Sequence, residues 1–188
     1  MNWTIPVFGA IALCAACNQK GPAPGQTSAS ESPGSSTGKN PCSLLTKEEV
    51  GKVIGVTVAE PTREGSNCNY VAPDATTGSA MVSTTWEKTE AEAKADYGAT
   101  AGAMGIGGQV VPGMPSDGTG AIAGLGDEAS FAMYFLHVRK GNALLQISVN
   151  LPNRLIELMK QGPAGPPKYS AAVLEMDKTL AAKALARL

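Results

Sequence analysis

The chain has 188 residues, and its 15 Lys and Arg nearly balance its 16 Asp and Glu, giving a formal net charge of −1. There is no basic excess to neutralise phosphates, which argues against a nucleic-acid-binding protein. A single His and the absence of a dense acidic cluster leave little for metal or acid–base chemistry, so neither a metal nor a cofactor is expected.

Residues 1–16 are predicted to be a secretory signal peptide. An apolar run covers residues 3–16, which is shorter than the roughly 18–20 residues that span a bilayer and suits the apolar region of a signal. The run ends in Leu13-Cys14-Ala15-Ala16-Cys17, where small residues before a cysteine resemble the lipobox of bacterial lipoproteins. That resemblance implies cleavage before Cys17, lipidation of its thiol, and a membrane as a partner.

Two features of this segment depart from the lipoprotein pattern. Cys14 stands where a Leu is usual, and residues 1–3 carry no Lys or Arg. An uncleaved, membrane-attached helix is therefore the alternative. Cys14 and Cys17 also match C-x-x-C, but no βαβ pattern surrounds them, which argues against a redox motif.

Residues 17–40 are predicted to form a flexible tether behind the lipidated cysteine. Twelve of the 18 residues from Gly21 to Gly38 are Gly, Pro or Ser, and Glu31 is the only charged one. Such a composition cannot bury a core. A coil of about twenty residues has an end-to-end distance of roughly 25 Å, enough to hold a domain clear of lipid headgroups.

Residues 41–188 are one domain's worth of chain and contain the two remaining cysteines, Cys42 and Cys68. An even pair in an exported domain predicts a disulfide, with two free thiols as the alternative. The bond would close a loop of about 26 residues and stabilise the fold by roughly 3–4 kcal/mol in the loop-entropy model.

Two capping boxes predict two helices. Thr46 and Glu49 open the first, which has an apolar face of Val50, Val53 and Ile54 and ends at Gly55. The second runs from its box at Thr89 and Glu92 to about Met104. Its predicted packing face is mostly alanine and consists of Ala91, Ala95 and Ala99, with Tyr97 and Met104.

Strands are predicted where β-branched residues and period-two alternation occur between turn residues. The early strands are Val56 to Ala59, Asn67 to Ala72 and Ala80 to Trp86. Residues 105–126 are Gly-rich and predict a long loop with a short strand near 109–111.

The strongest β pattern is a hairpin in which Ser130 to Arg139 and Ala143 to Asn150 flank Lys140-Gly141-Asn142. The first strand is apolar on both faces, with Phe131, Met133 and Phe135 on one of them, so it is expected to be central.

Two helices complete the chain, a short one around Leu155 to Met159 and a long packing helix from about Tyr169 to Leu188. The order of helix, strands, helix, hairpin and helices predicts an α+β fold. It is an antiparallel sheet flanked by helices, in a single domain behind the signal peptide and tether.

Several segments of the domain resemble a known family. They are Cys42-Ser43-Leu44-Leu45-Thr46, Cys68-Asn69-Tyr70, Gly124-Leu125-Gly126-Asp127-Glu128-Ala129 and the hairpin end Val138-Arg139-Lys140-Gly141-Asn142. Together they resemble small cell-envelope lipoproteins of the actinobacterial type, with a CSLLT…CxY…GLGDEA domain of unknown function. The layout is more loosely similar to the PsbP-like α+β sandwich. The resemblance carries the two cysteines over as a disulfide and implies no catalytic residues.

Candidate catalytic residues are few. His137 lies in an apolar strand without a nucleophile motif, so a packed or rim position is favoured over catalysis. Asp127 and Glu128 are adjacent on a strand and would point to opposite faces, which favours a turn or salt-bridge role. The glycine clusters at 105–108 and 118–120 resemble phosphate loops but lack the Gly-Lys-Ser/Thr ending, and are interpreted as loop.

The sequence predicts a lipid-anchored, non-catalytic domain of the cell envelope that acts as an interaction or sensing module, with an envelope protein as partner. One alternative is a carrier of a small apolar ligand, held between sheet and helices. A second alternative is a hydrolase whose site is unrecognised. The candidate pocket residues, which equally suit an ordinary core, are Trp86, Tyr97, Phe131, Met133, Phe135 and Met159.

Overall fold

The computed structural model describes residues 39–104 and 120–188. In these residues seven strands form one antiparallel sheet in the order β1-β2-β3-β7-β6-β5-β4, with helices flanking it, so the α+β prediction is confirmed. The strands are β1 (Thr62–Glu64), β2 (Asn67–Val71), β3 (Ser79–Trp86), β4 (Gly120–Ala121), β5 (Glu128–Ala132), β6 (Phe135–Lys140) and β7 (Ala143–Asn150). The helices are α1 (Lys47–Ile54), α2 (Glu90–Ala103), α3 (Pro152–Met159) and α4 (Gly165–Leu185).

Both capping boxes are present. In α1 the Glu49 amide donates to the Thr46 hydroxyl and the Thr46 amide donates to the Glu49 carboxylate. Thr89 and Glu92 repeat the arrangement at the start of α2. Each box satisfies amides that the first helical turn leaves without partners, so both helices begin where the sequence predicts.

One face of the sheet forms the core. Alternate residues of the strands pack there against α1 and α4, because successive side chains of a strand point to opposite faces. The Tyr70 hydroxyl donates to the Leu45 carbonyl at 2.8 Å and so pairs its one polar group within this core. The strand residues of the core face include Cys68, Tyr70, Val82, Phe131, Leu136, Val138, Leu145, Ile147 and Val149.

The prediction of one continuous strand from Ser130 to Arg139 is wrong. The chain reverses at Met133 and Tyr134, whose φ values are 50° and 66°, and Ala132 pairs with Phe135 across this two-residue turn. Two positive φ values are what a tight hairpin turn between twisted strands requires, although Asn and Gly usually supply them. Because of this turn the strand in the middle of the sheet is β7.

Two further predictions differ from the structure. Val56 to Ala59 is not a strand, and the edge strand β1 begins at Thr62 instead. On α2, Ala91, Ala95 and Ala99 are exposed, whereas Ala93 is buried. Half-buried Tyr97 lies one turn after Ala93, so the packing face is rotated from the one predicted.

Candidate functional site

The predicted disulfide is present between Cys42 and Cys68, with the two Cα atoms 5.1 Å apart. It joins the 3₁₀ turn Pro41–Ser43, just before α1, to strand β2. Because disulfides persist in oxidising compartments, the bond is consistent with an exported protein. In the described residues no helix is both long and apolar enough to cross a membrane.

The beginning of the described domain lies beside the end of the chain. The Lys39 ammonium donates to the carbonyls of Arg187 and Leu188 at 2.9 and 2.6 Å. Both residues follow directly on α4, whose 21 residues extend over about 31 Å at 1.5 Å per residue. Whatever precedes Lys39 therefore enters the domain at the C-terminal end of α4.

The opposite end of α4 lies next to a group of exposed apolar side chains, here called the apolar end patch. Its members are Met133, Tyr134, Ile156 and Met159, which are 48%, 39%, 52% and 58% exposed. Isolated exposed apolar residues are ordinary, but several large ones at one end of a domain mark a contact surface.

Tyr169, near the start of α4, brings the parts of this patch to the same end of the sheet. Its ring meets the Tyr134 ring edge-on, with centroids 5.5 Å apart. Its hydroxyl accepts a hydrogen bond from the Leu151 amide at 2.9 Å, immediately before α3. The β5–β6 turn and α3 are thus both fixed to one buried side chain.

Exposed cations border the apolar end patch. Arg154 and Lys160 lie on or next to α3, and Lys168 lies in the first turn of α4, where it reaches Gln161. Glu157 is the one carboxylate within α3 itself. This end of the domain is therefore apolar with a basic rim, and it is complementary to apolar groups flanked by carboxylates.

A second cluster surrounds Arg139, whose side chain is 6% exposed. Its guanidinium donates to Glu128 at 2.7 Å and to both Asp127 and Glu90 at 3.2 Å. Asp127 also accepts the Gly141 amide at 2.6 Å. Asp127 and Glu128 thus form salt bridges as predicted, and they fasten the segment before β5 to the β6–β7 hairpin. The prediction that they point to opposite faces of a strand is wrong, because Asp127 precedes β5 and both carboxylates bind the same guanidinium.

A cleft of about 180 Å³ lies between α2 and the sheet face opposite the core, here called the α2 cleft. Leu144 contributes an apolar side chain to its wall. Burial raises the pKa of Tyr97 and lowers the pKa of His137 in this region. The polar residues that line it are Ser83, Thr85, Tyr97, Thr100, His137 and Gln146.

The six candidate pocket residues do not converge on one cavity. Tyr97 lines the α2 cleft, while Trp86 lines a shallow depression with Glu90 and Asp127. The other four are separated by the turn at Met133 and by the two faces of the sheet. Phe131 is in the core, Phe135 lies beside the His137 ring at 6.3 Å, and Met133 and Met159 belong to the apolar end patch.

Four residues of these two sites were not predicted from the sequence: Tyr134 and Ile156 on the surface, and Ser83 and Gln146 in the α2 cleft. The alternation of polar side chains along β3 and β7 was the available signal for the cleft. Cys17, the tether up to residue 38, the expected strand near 109–111 and the glycine cluster at 105–108 lie outside the described residues. In the described part of the chain, no group of three or more His, Cys, Asp or Glu residues is placed to hold a metal ion.

Comparison of the chain with family models, with curated proteins and with solved structures gives no match.

Proposed function

We propose that the protein is a lipid-anchored, non-catalytic module of the cell envelope that binds another envelope protein through the apolar end patch. The observation that carries the proposal is the position of the patch at the opposite end of α4 from Lys39. With a lipid on Cys17 and a coiled tether up to residue 40, the domain would hang from the end that contains Lys39. The apolar end patch would then face away from the membrane, toward other proteins.

The composition of the patch supports a protein partner. Methionine side chains are flexible and adapt to different apolar surfaces, and a tyrosine offers both apolar area and a hydroxyl. The basic rim of Arg154, Lys160 and Lys168 favours a partner that carries carboxylates around an apolar centre. We infer a partner of this chemistry rather than a lipid surface, because the patch lies at the opposite end of α4, about 31 Å from the point at which the anchor would enter the domain.

Site-specific cross-linking in the native host tests the proposal. A photoreactive amino acid at Ile156 is expected to yield one discrete protein adduct in the envelope fraction. The same amino acid at Ala95, which is exposed on α2, is the matched control and should yield none. Lys160→Glu should reduce the adduct at Ile156, whereas Lys94→Glu on α2 should leave it unchanged.

The anchor is tested separately by metabolic labelling with an alkyne-bearing fatty acid. Incorporation should occur in the wild-type chain and be lost in Cys17→Ser. Equal adducts at Ile156 and Ala95, or insensitivity to Lys160→Glu, would contradict the interaction module. Labelling that survives in Cys17→Ser would contradict the lipid anchor. The cross-linking result at Ile156 would still decide separately whether the apolar end patch binds a partner.

A further inference from the structure

The sheet face that lines the α2 cleft carries an unbroken row of polar side chains. Asn67 pairs with Ser83, Ser83 with Gln146, Gln146 with His137, and His137 with Ser130. Five neighbouring strands thus each place one polar residue on the same line across the sheet. A face that only packed under a helix would be expected to be apolar there.

One atom of this row, His137 Nε2, is shielded from solvent and makes no hydrogen bond within the described residues. Ser130, at the end of the row, lies within hydrogen-bonding reach of the Tyr97 hydroxyl. Buried polar groups are almost always paired with protein, water or ligand. The row therefore has hydrogen-bonding capacity that the protein's own described side chains do not use.

The α2 cleft is large enough to use that capacity. Its volume of about 180 Å³ corresponds to roughly six water molecules at about 30 Å³ each. The one buried residue of helix α2 is Ala93, whose side chain is small. The helix therefore covers little of the sheet surface beside the cleft. Tyr97 and Leu144 add apolar surface beside the hydroxyls and the amide.

The lining also excludes one class of ligand. Among the described residues, none of the polar side chains that line the α2 cleft is a carboxylate, lysine or arginine. Arg139, on the same sheet face, is already bound by three carboxylates. Because burial disfavours the charged form of His137, the lining is neutral near pH 7, and a charged ligand would be left unpaired.

We propose that the α2 cleft is a binding site for a small uncharged polyhydroxy molecule of monosaccharide size. Hydroxyls of the ligand would pair with the Ser83, Gln146 and His137 side chains. An apolar ring face would lie against Tyr97 and Leu144. This site is separate from the apolar end patch and does not depend on the proposed protein partner.

The single histidine makes the test direct, because its ring signals in an NMR spectrum need no assignment. The full chain would be kept in a detergent with a phosphocholine headgroup, so that no sugar enters from the detergent. D-Glucose, D-galactose and N-acetyl-D-glucosamine would be titrated, with D-glucuronate and D-glucosamine as charged counterparts. At least one neutral sugar is expected to shift the His137 signals in a saturable manner, and the charged sugars are expected not to.

Variants on one strand face provide the control. Gln146→Leu and Ser83→Val should each weaken binding of that sugar about tenfold or more, since each removes a hydrogen bond and leaves ligand groups unpaired. Ser79→Val lies on the same face of β3 but outside the cleft, and should change the affinity less than about twofold. Circular dichroism of each variant checks the fold, and Ser83→Val replaces Gln146→Leu if the latter unfolds. No shift with any neutral sugar, equal shifts with charged sugars, or equal weakening by Ser79→Val would overturn the proposal.

Discussion

Glu49 and Arg187, 138 positions apart in the chain, form a two-pronged ion pair with N–O distances of 2.6 and 2.8 Å. The same guanidinium donates to the Leu44 carbonyl at 2.7 Å, and the same carboxylate caps α1 through Thr46. One carboxylate therefore both starts a helix and holds the end of the chain against it.

The first prediction concerns the acid stability that this pair provides. The hydrogen bonds from Arg187, then the backbone bond at Thr46, lower the pKa of Glu49 to about 2. A carboxyl whose pKa is lowered by folding contributes stability that is complete above its ordinary pKa and is lost as the pH falls toward 2. Because Arg187 is 40% exposed and screened by solvent, Glu49→Gln should lower the free energy of unfolding at pH 7 by about 1–2 kcal/mol.

Urea unfolding of both proteins between pH 2 and pH 7 measures this effect. The two curves should converge toward pH 2. Glu48→Gln, the exposed neighbour in the same helical turn, should match wild type throughout. A gap that remains constant down to pH 2 would show that the charge of Glu49 is not the source.

The second prediction concerns Asp177, which is fully buried in α4 and whose carboxylate has, among the described residues, only a weak contact with the Val149 backbone to stabilise its charge. Burial raises its pKa to about 9. The folded state then holds a proton that the unfolded chain releases above about pH 4, so stability should fall by about 1.4 kcal/mol per pH unit from there to about pH 9.

Asp177→Asn removes this titration while keeping the shape of the side chain. It should raise the free energy of unfolding at pH 7 by about 2–4 kcal/mol and flatten its pH dependence. Denaturant unfolding at pH 5, 7 and 8.5 measures the change, with Asp96→Asn on the exposed side of α2 as the control. If Asp177→Asn is less stable than wild type at pH 8.5, the carboxylate is held by a stronger partner than the Val149 backbone.

The third prediction compares alanine substitutions at two glycines, Gly124 and Gly126, in the segment before β5. A Cβ at Gly126 would lie 2.5 Å from the Arg139 carbonyl oxygen, and its φ is +65°. Gly124 has a φ of +78° but open space around its Cβ position. Gly124→Ala should cost about 1 kcal/mol from backbone conformation alone, whereas Gly126→Ala adds a clash and should cost at least about 3 kcal/mol. Thermal unfolding of the two variants compares them, and equal losses would refute the role of the close approach.

The fourth prediction concerns the turn in the apolar end patch. Replacing Met133→Asn and Tyr134→Gly removes two strained positive-φ residues, worth about 1–2 kcal/mol each, and one ring contact with Tyr169, worth about 0.5–1.5 kcal/mol. The free energy of unfolding should therefore rise by roughly 0.5–3.5 kcal/mol. The cross-linked adduct at Ile156 should nevertheless disappear.

Unfolding and cross-linking of this double variant must be measured together. A stable variant that keeps its adduct would remove the turn from the contact surface. A variant destabilised by several kcal/mol would show that the turn residues serve the fold rather than a partner.

The features that the sequence predicts correctly are local or covalent. The box residues Thr46 and Glu49 are three positions apart, so their hydrogen bonds depend on little beyond the first helical turn. The α+β class follows from the order of periodic segments. The Cys42–Cys68 bond follows from the predicted export signal and the even count of cysteines in the domain.

The features that the sequence misses are set by tertiary contacts. Met133 and Tyr134 are apolar residues that suit a strand, and the chain folds back there although neither is a usual turn residue. Alanines occur on two neighbouring faces of α2, so the sequence alone does not decide which face packs on the sheet. The face that packs is the one that carries Ala93 and, one turn later, Tyr97. The α2 cleft could not be predicted because its lining comes from four separate elements whose register only pairing across the sheet defines.

The disulfide also determines how the domain would bear a mechanical load. Tension on the chain ahead of Lys39 reaches Cys42 within three residues, and the covalent bond transfers it to Cys68. That residue lies in β2, which is hydrogen-bonded to β1 on one side and to β3 on the other. A pull on the chain ahead of Lys39 therefore acts on the interior of the sheet. If the disulfide were reduced, the same pull would act only on the short turn Pro41–Ser43, which would come away more easily.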